Sequence, residues 1–130
     1  MPFVRLVVLL TAVVYAAIGI GFVLLPQTLG AQVGIDLTDV TAYNDFRAVY
    51  GGVPAGIAVF LVMALRRPTW LLPALWITLL TLGGLAASRA LSWLMDGWPA
   101  PIALVLHGAE IAGVVVCVAA LRAADREARA

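Results

Sequence analysis

Long apolar stretches separated by short polar connections dominate the pattern of this chain. Four of them cover about residues 4–25, 45–65, 69–95 and 100–121. A helix needs about 20 mostly apolar residues to cross the hydrocarbon layer of a membrane, so each stretch is long enough for one span. Short connections place consecutive helices side by side and antiparallel. The pattern therefore predicts an all-α, integral membrane four-helix bundle with up-down topology, forming one transmembrane domain over residues 1–130.

The composition supports a lipid environment and excludes several classes of function. The 130 residues are 64% hydrophobic and 12% charged, with a mean hydropathy of +1.07, whereas a soluble domain carries about 25% charged residues. The lipid bilayer is thus the main partner. A net charge of +1 without any lysine gives no footprint for nucleic acid. One cysteine and one histidine exclude an intrachain disulfide and a multi-cysteine metal site, and we predict neither a cofactor nor a metal.

The arginines predict the orientation of the four spans. Six of the eight lie at the N-terminus, in the second connection and in the C-terminal tail: Arg5, Arg66, Arg67, Arg122, Arg126 and Arg129. The charged residues of the other two connections are all acidic. By the positive-inside rule both termini are cytoplasmic. A cleaved signal peptide is the rival interpretation of the first span, but signal-peptide cores are only about 7–15 residues long.

Two arginines break this rule and lie inside spans, together with other polar residues. At about 1.5 Å per helical residue, Arg89 lies about 10 Å inward from Asp96 at the outer end of the third span. The same rise places His107 and Glu110 about 9 and 13 Å inside the fourth span. Arg47 lies within the first turns of the second span. Three spans therefore bring polar side chains to one layer in the outer half of the membrane.

Charges at this depth cost at least about 2.5–3.5 kcal/mol each, so we expect Glu110 to pair with Arg89 or Arg47, or to stay protonated. His107 and Glu110 are three residues apart and share a helix face. Asp45 is expected to cap the second span. The candidate catalytic residues are Glu110, His107 and Tyr50, and the candidate ligand-binding residues are Arg47, Arg89, Asp45, Ser92 and Asp96.

Small residues indicate where helices approach closely. Gly52 and Gly56 have the spacing of a helix-packing motif in the second span, and Ala109 and Gly113 have a similar spacing in the fourth. We expect these faces to pack within the bundle, with a dedicated dimer face as the alternative. Pro54 is expected to kink the second span, because it lacks the backbone N–H of a helical residue.

The polar segments also resemble a known family. The stretch Asp45–Gly52, then Ser88 and Arg89 before Asp96–Pro99, then Glu110, is similar to the bacterial family called domain of unknown function 4345. The resemblance covers nearly the whole chain, and its most specific part is Phe46–Gly52. It implies four spans in the bacterial inner membrane, as a multi-pass protein, and it implies no reaction.

Two hypotheses of function follow, and whether the protein is an enzyme stays open. In the first, the outer-half cluster binds a lipophilic small molecule, with acid-base isomerisation or cyclisation of an isoprenoid- or sterol-like substrate as its chemistry. In the second, the protein is a non-catalytic subunit or assembly factor of a membrane complex, or a homo-oligomer, and the cluster is a structural ion-pair network. Transport is weaker, because the inner half lacks buried polar residues.

Overall fold

The computed structural model describes residues 1–129, and all regular secondary structure in that range is helical. The helices are α1 (Pro2–Leu24), α2 (Pro26–Gln32), α3 (Val40–Phe46), a π-helical segment (Arg47–Gly52), α4 (Val53–Arg66), a 3₁₀ turn (Pro68–Trp70), α5 (Leu71–Asp96) and α6 (Pro101–Arg129). The third, fourth and fifth of these elements form one continuous helical span. Within residues 1–129, four helices are thus long and apolar enough to cross a membrane, which confirms the predicted four-helix bundle.

The connection between the first two spans contains a short helix, α2, and ends where α3 begins at Val40. Pro26 begins the short helix α2 directly after α1, a position where its missing N–H costs nothing. Asp39 caps α3, because its Oδ1 accepts hydrogen bonds from the backbone N–H groups of Thr41 (2.8 Å) and Ala42 (3.0 Å). The expectation that Asp45 caps the second span is therefore wrong, since Asp45 lies inside α3.

The distortion expected at Pro54 takes the form of a π-helical segment in the preceding turns. At its end the N–H of Val53 donates to the carbonyl of Ala48, five residues back. Proline cannot donate to the preceding turn, and one wider turn re-routes the remaining hydrogen bonds without ending the helix. The segment Arg47–Gly52 coincides with the polar motif of the second span.

The bundle consists of two well-packed helix pairs. α1 packs along the π-helical segment and α4, and α5 packs along α6. The first pair crosses at Gly19 and Gly51, where backbones nearly touch. A Cβ atom built on Gly19 would lie 2.7 Å from the nitrogen of Ala55, and one on Gly51 would lie 3.2 Å from the nitrogen of Val23. Only glycine allows this approach.

The predicted packing motif of the second span does not make this contact. A Cβ atom on Gly56 would meet nothing within 4 Å, and Gly52 is exposed. The expectation that these two glycines pack within the bundle is wrong, because the π-helical turn brings Gly51 to the face of α1 instead. In the fourth span Gly113 does pack, against the side chain of Leu82 on α5.

The largest cluster of buried hydrophobic residues lies in one half of the bundle. We call it the terminal half, because it adjoins both chain termini and the α4–α5 connection; the other is the distal half. The core residues are Val4, Val7, Val8, Ala12 and Tyr15 of α1, Ala58, Leu61 and Ala64 of α4, Leu71, Ala74 and Leu75 of α5, and Cys117, Ala120 and Ala124 of α6. Beyond Thr78 in α5 no residue is buried, and before Cys117 in α6 only Glu110 is.

Candidate functional site

The polar residues singled out in the sequence fall into two separate groups. Asp45, Arg47 and Tyr50 lie at the distal end of α1, around the π-helical segment. Arg89, Ser92, Asp96, His107 and Glu110 lie between the distal halves of α5 and α6. The π-helical segment packs on α1, α3 and α4, and it makes no comparably extensive contact with α5 or α6.

In the first group the side chain of Arg47 caps the C-terminal end of α1. Its Nε donates a hydrogen bond to the carbonyl oxygen of Val23 at 3.0 Å. The last carbonyls of a helix have no partner within the helix, and a cation there also opposes the negative end of the helix dipole. The guanidinium lies 5.6 Å from the centre of the Tyr43 ring, and the Tyr43 hydroxyl donates to the side chain of Gln27 in α2.

Aromatic rings complete this first group. Phe46 is buried and stacks on Tyr50 with ring centres 4.7 Å apart, while Phe22 of α1 lies 5.3 Å from Phe46. The side chain of Asp45 is exposed and forms no hydrogen bond within residues 1–129. The motif thus joins α1 to the second span through an arginine cap, an aromatic stack and the close contact at Gly51.

In the second group a partly buried ion pair joins α5 and α6. The Nε of Arg89 lies 2.8 Å from Oε1 and 3.1 Å from Oε2 of Glu110. Glu110 is 7% exposed, while the side chain of Arg89 is 33% exposed. Of its two expected partners, Glu110 therefore pairs with Arg89. Arg47 forms no ion pair within the part of the chain that the structure describes.

Arg89 has N–H donors that its contacts with Glu110 do not use. A guanidinium carries five N–H donors, and the contacts to Glu110 use only the one on Nε. Within residues 1–129 its two Nη nitrogens donate to no other group. The partly exposed end of Arg89 is thus an oxygen-binding group held in place by a buried carboxylate.

Two buried polar atoms have no hydrogen-bond partner within residues 1–129: the Nδ1 of His107, which lies beside this pair, and the hydroxyl of Tyr15 on α1. The first lies 3.9 Å from Oε2 of Glu110, beyond hydrogen-bonding distance. Buried polar atoms nearly always have a partner, so these two exceptions require an explanation.

Tyr15 is a buried polar residue that the sequence did not single out. Its ring is buried in the core cluster, while its hydroxyl has no hydrogen-bond partner within residues 1–129. The available signal was its hydroxyl, because a buried tyrosine usually places its O–H against a polar partner.

The remaining members of the second group lie nearer the membrane surface. Ser92 donates from Oγ to Oδ2 of Asp96 at 2.8 Å, one turn apart in an exposed position. Trp93 packs against His107 with ring centres 4.6 Å apart and against Trp98 at 5.6 Å. The indole of Trp93 thus covers one side of the imidazole. No three histidine, cysteine, aspartate or glutamate side chains within residues 1–129 lie close enough together to hold a metal ion.

Of three comparisons with known proteins, one gives a match. No curated protein matches this chain. No solved structure matches it either. One family model matches residues 3–121, which is most of the chain and includes both polar groups. The chain therefore belongs to the family described as Domain of unknown function (DUF4345).

Proposed function

We propose that this membrane protein binds a lipophilic molecule between its helix pairs in the distal half, with Arg89 holding an oxygen atom of that molecule. The observation that carries the proposal is the partly buried Arg89–Glu110 pair beside the Nδ1 of His107, which has no hydrogen-bond partner within residues 1–129; the buried hydroxyl of Tyr15 on α1 also lacks one. An ion pair that served only to hold two helices together would not need an unpartnered imidazole beside it. Ionisable groups inside a membrane are candidates for function by default.

The open distal half supports entry of such a molecule from the membrane. The core of the bundle ends near Thr78 and Cys117, and beyond them α5 and α6 expose large apolar side chains such as Leu80, Leu91 and Val105. A ligand with an apolar body would contact these surfaces. Its polar end, a carbonyl, hydroxyl or anionic oxygen, would reach the Nη groups of Arg89.

The positive-inside rule gives the proposed location of this site. The two chain termini and the α4–α5 connection, all at the terminal end, carry six of the eight arginines, so we place the terminal half towards the cytoplasm and the distal half in the outer leaflet. In a bacterial cell this corresponds to the inner membrane.

The chemistry that we propose for Arg89, Glu110 and His107 is proton transfer next to a carbonyl, as in an isomerisation. Both carboxylate oxygens of Glu110 contact Arg89, and an ion-paired carboxylate accepts a proton instead of donating one. We therefore assign Glu110 the role of base and Arg89 that of stabilising the developing negative oxygen. His107 would relay the proton. Tyr50 lies in the other group and takes no part in this proposal.

A second function, as a non-catalytic subunit of a membrane complex, is favoured by one observation. The short contacts from one Nε to both oxygens of Glu110 are sufficient to lock α5 to α6 without any ligand. In that case the exposed surface of the distal half would meet a partner protein. The two proposals differ in what is retained after purification.

Native mass spectrometry of the protein released from lipid nanodiscs tests the choice. We expect the wild type to retain a small molecule of defined mass, and Glu110→Gln to lose it, because Arg89 is then no longer held in place. Glu127→Gln is the matched control, since that carboxylate lies at the terminal end and pairs with the N-terminus. A bare chain in all three samples would refute the binding site, and a stoichiometric protein complex would favour the second function.

A further inference from the structure

A second feature lies between α1 and α4, and none of the polar residues of the proposed site lines it. A groove of about 410 Å³ runs between α1 and α4 and opens to the membrane. It is lined by Ala16, Ile20, Ala55, Ala58, Val59, Val62, Met63 and Arg66. Small alanine side chains form its floor and larger aliphatic ones form its sides. Its one charged residue, Arg66, stands at the terminal end.

The dimensions of the groove match one leaflet of a bilayer. From Ala55 to Arg66 a helix rises about 16 Å at 1.5 Å per residue. The hydrocarbon core of a membrane is about 30 Å thick, so one leaflet contributes about 15 Å. A groove that begins at a cation on the membrane surface and ends near the midplane has the length and polarity of one lipid acyl chain with its headgroup.

The terminal end of the groove carries positive charge that no acid within residues 1–129 pairs with. Arg5 donates to the carbonyl oxygen of Leu65 at 2.6 Å and so lies beside Arg66. Arg67 stacks over the ring of Trp70, 4.7 Å from its centre. Within residues 1–129 none of these three arginines lies within 4.0 Å of a carboxylate. An anion would balance this charge.

We propose that the groove between α1 and α4 is a binding site for an anionic glycerophospholipid, whose phosphate contacts Arg66 and whose acyl chain lies along Ala55 and Ala58. The charge at the end of the groove favours this occupant over a second copy of the chain. A parallel two-fold dimer across the groove would bring two Arg66 side chains together, and like charges at short distance repel. The site is independent of the function proposed above.

The test is native mass spectrometry of protein from nanodiscs of equal parts phosphatidylcholine and phosphatidylglycerol. We expect the wild type to retain one phosphatidylglycerol in preference to phosphatidylcholine. Arg66→Ala should weaken that preference about fivefold, because one arginine near a membrane surface attracts an anionic lipid by about 1 kcal/mol. Arg66→Lys should keep most of it. Arg126→Ala removes the same charge from the exposed tail and should leave the preference unchanged.

A second variant tests the apolar part of the site. Val59 is 60% exposed on the side of the groove, so Val59→Trp should fill the groove without disturbing the core and should abolish retention of the lipid. Equal losses in Arg66→Ala and Arg126→Ala would show general attraction to positive charge and would overturn the proposal. Equal retention of both lipids, or a dimer without lipid, would overturn it as well.

Discussion

The crossing of α1 with the second span gives the sharpest prediction about stability. In Gly19→Ala the new methyl group would lie 2.7 Å from the nitrogen of Ala55 and 2.9 Å from the oxygen of Gly51. Both are backbone atoms and cannot rotate away. The helices must separate by about 0.7 Å for the shorter distance to reach 3.4 Å, the lower limit of ordinary van der Waals contact. Overpacking of this kind costs about 1–3 kcal/mol.

Gly56→Ala is the matched control, because the same methyl group there meets nothing within 4 Å. Alanine also favours a helix over glycine by about 1 kcal/mol, so this variant should be as stable as the wild type or more stable. The free energy of unfolding can be measured by titrating dodecylsulfate into detergent micelles and following near-ultraviolet circular dichroism. If Gly19→Ala unfolds at the same dodecylsulfate fraction as Gly56→Ala, the close contact at this crossing does not exist in the folded protein.

Three further predictions concern polar contacts, each measured in the same unfolding assay. Arg89→Ala should lower the free energy of unfolding by about 3 kcal/mol, because it leaves Glu110 buried without its partner; in combination with Glu110→Gln the loss should be smaller than the sum of the two single losses, and additivity would disprove the pair. Arg47→Ala should cost about 1 kcal/mol through the lost bond to the carbonyl of Val23, and an unchanged stability would contradict the cap. Asp39→Ala should cost about 1 kcal/mol, while Asp39→Asn keeps a capping oxygen and should cost little.

The depth of each polar residue was predictable from the sequence. The span ends and the helical rise place Arg89 and Glu110 in one layer, and the structure joins them in an ion pair. Arg47 was placed in the same distal half and lies there, but it binds the end of α1 instead of Glu110. Depth depends only on position along one helix, whereas contact also depends on which helices are neighbours and how each is rotated.

The second span shows the same limit at the level of backbone geometry. Pro54 predicted a distortion, and its type was not predictable. A π-helical turn rotates the residues that follow it around the helix axis, so Gly51 meets α1 while Gly52 and Gly56 face outward. A regular helical period applied across this turn selects the wrong glycines. A hydrogen-bond pattern that depends on tertiary packing cannot be read from spacing.

The sequence by itself determined the four spans, the family and the layer of the polar residues, because hydrophobicity, length and helical rise are local properties. Only the tertiary structure decided that the polar residues form two groups, that the buried hydroxyl of Tyr15 has no partner within residues 1–129, and that a groove ending in Arg66 opens between α1 and α4. These features arise from the rotation and crossing of helices. They depend on close packing among residues far apart in the chain, and no single stretch of sequence contains that information.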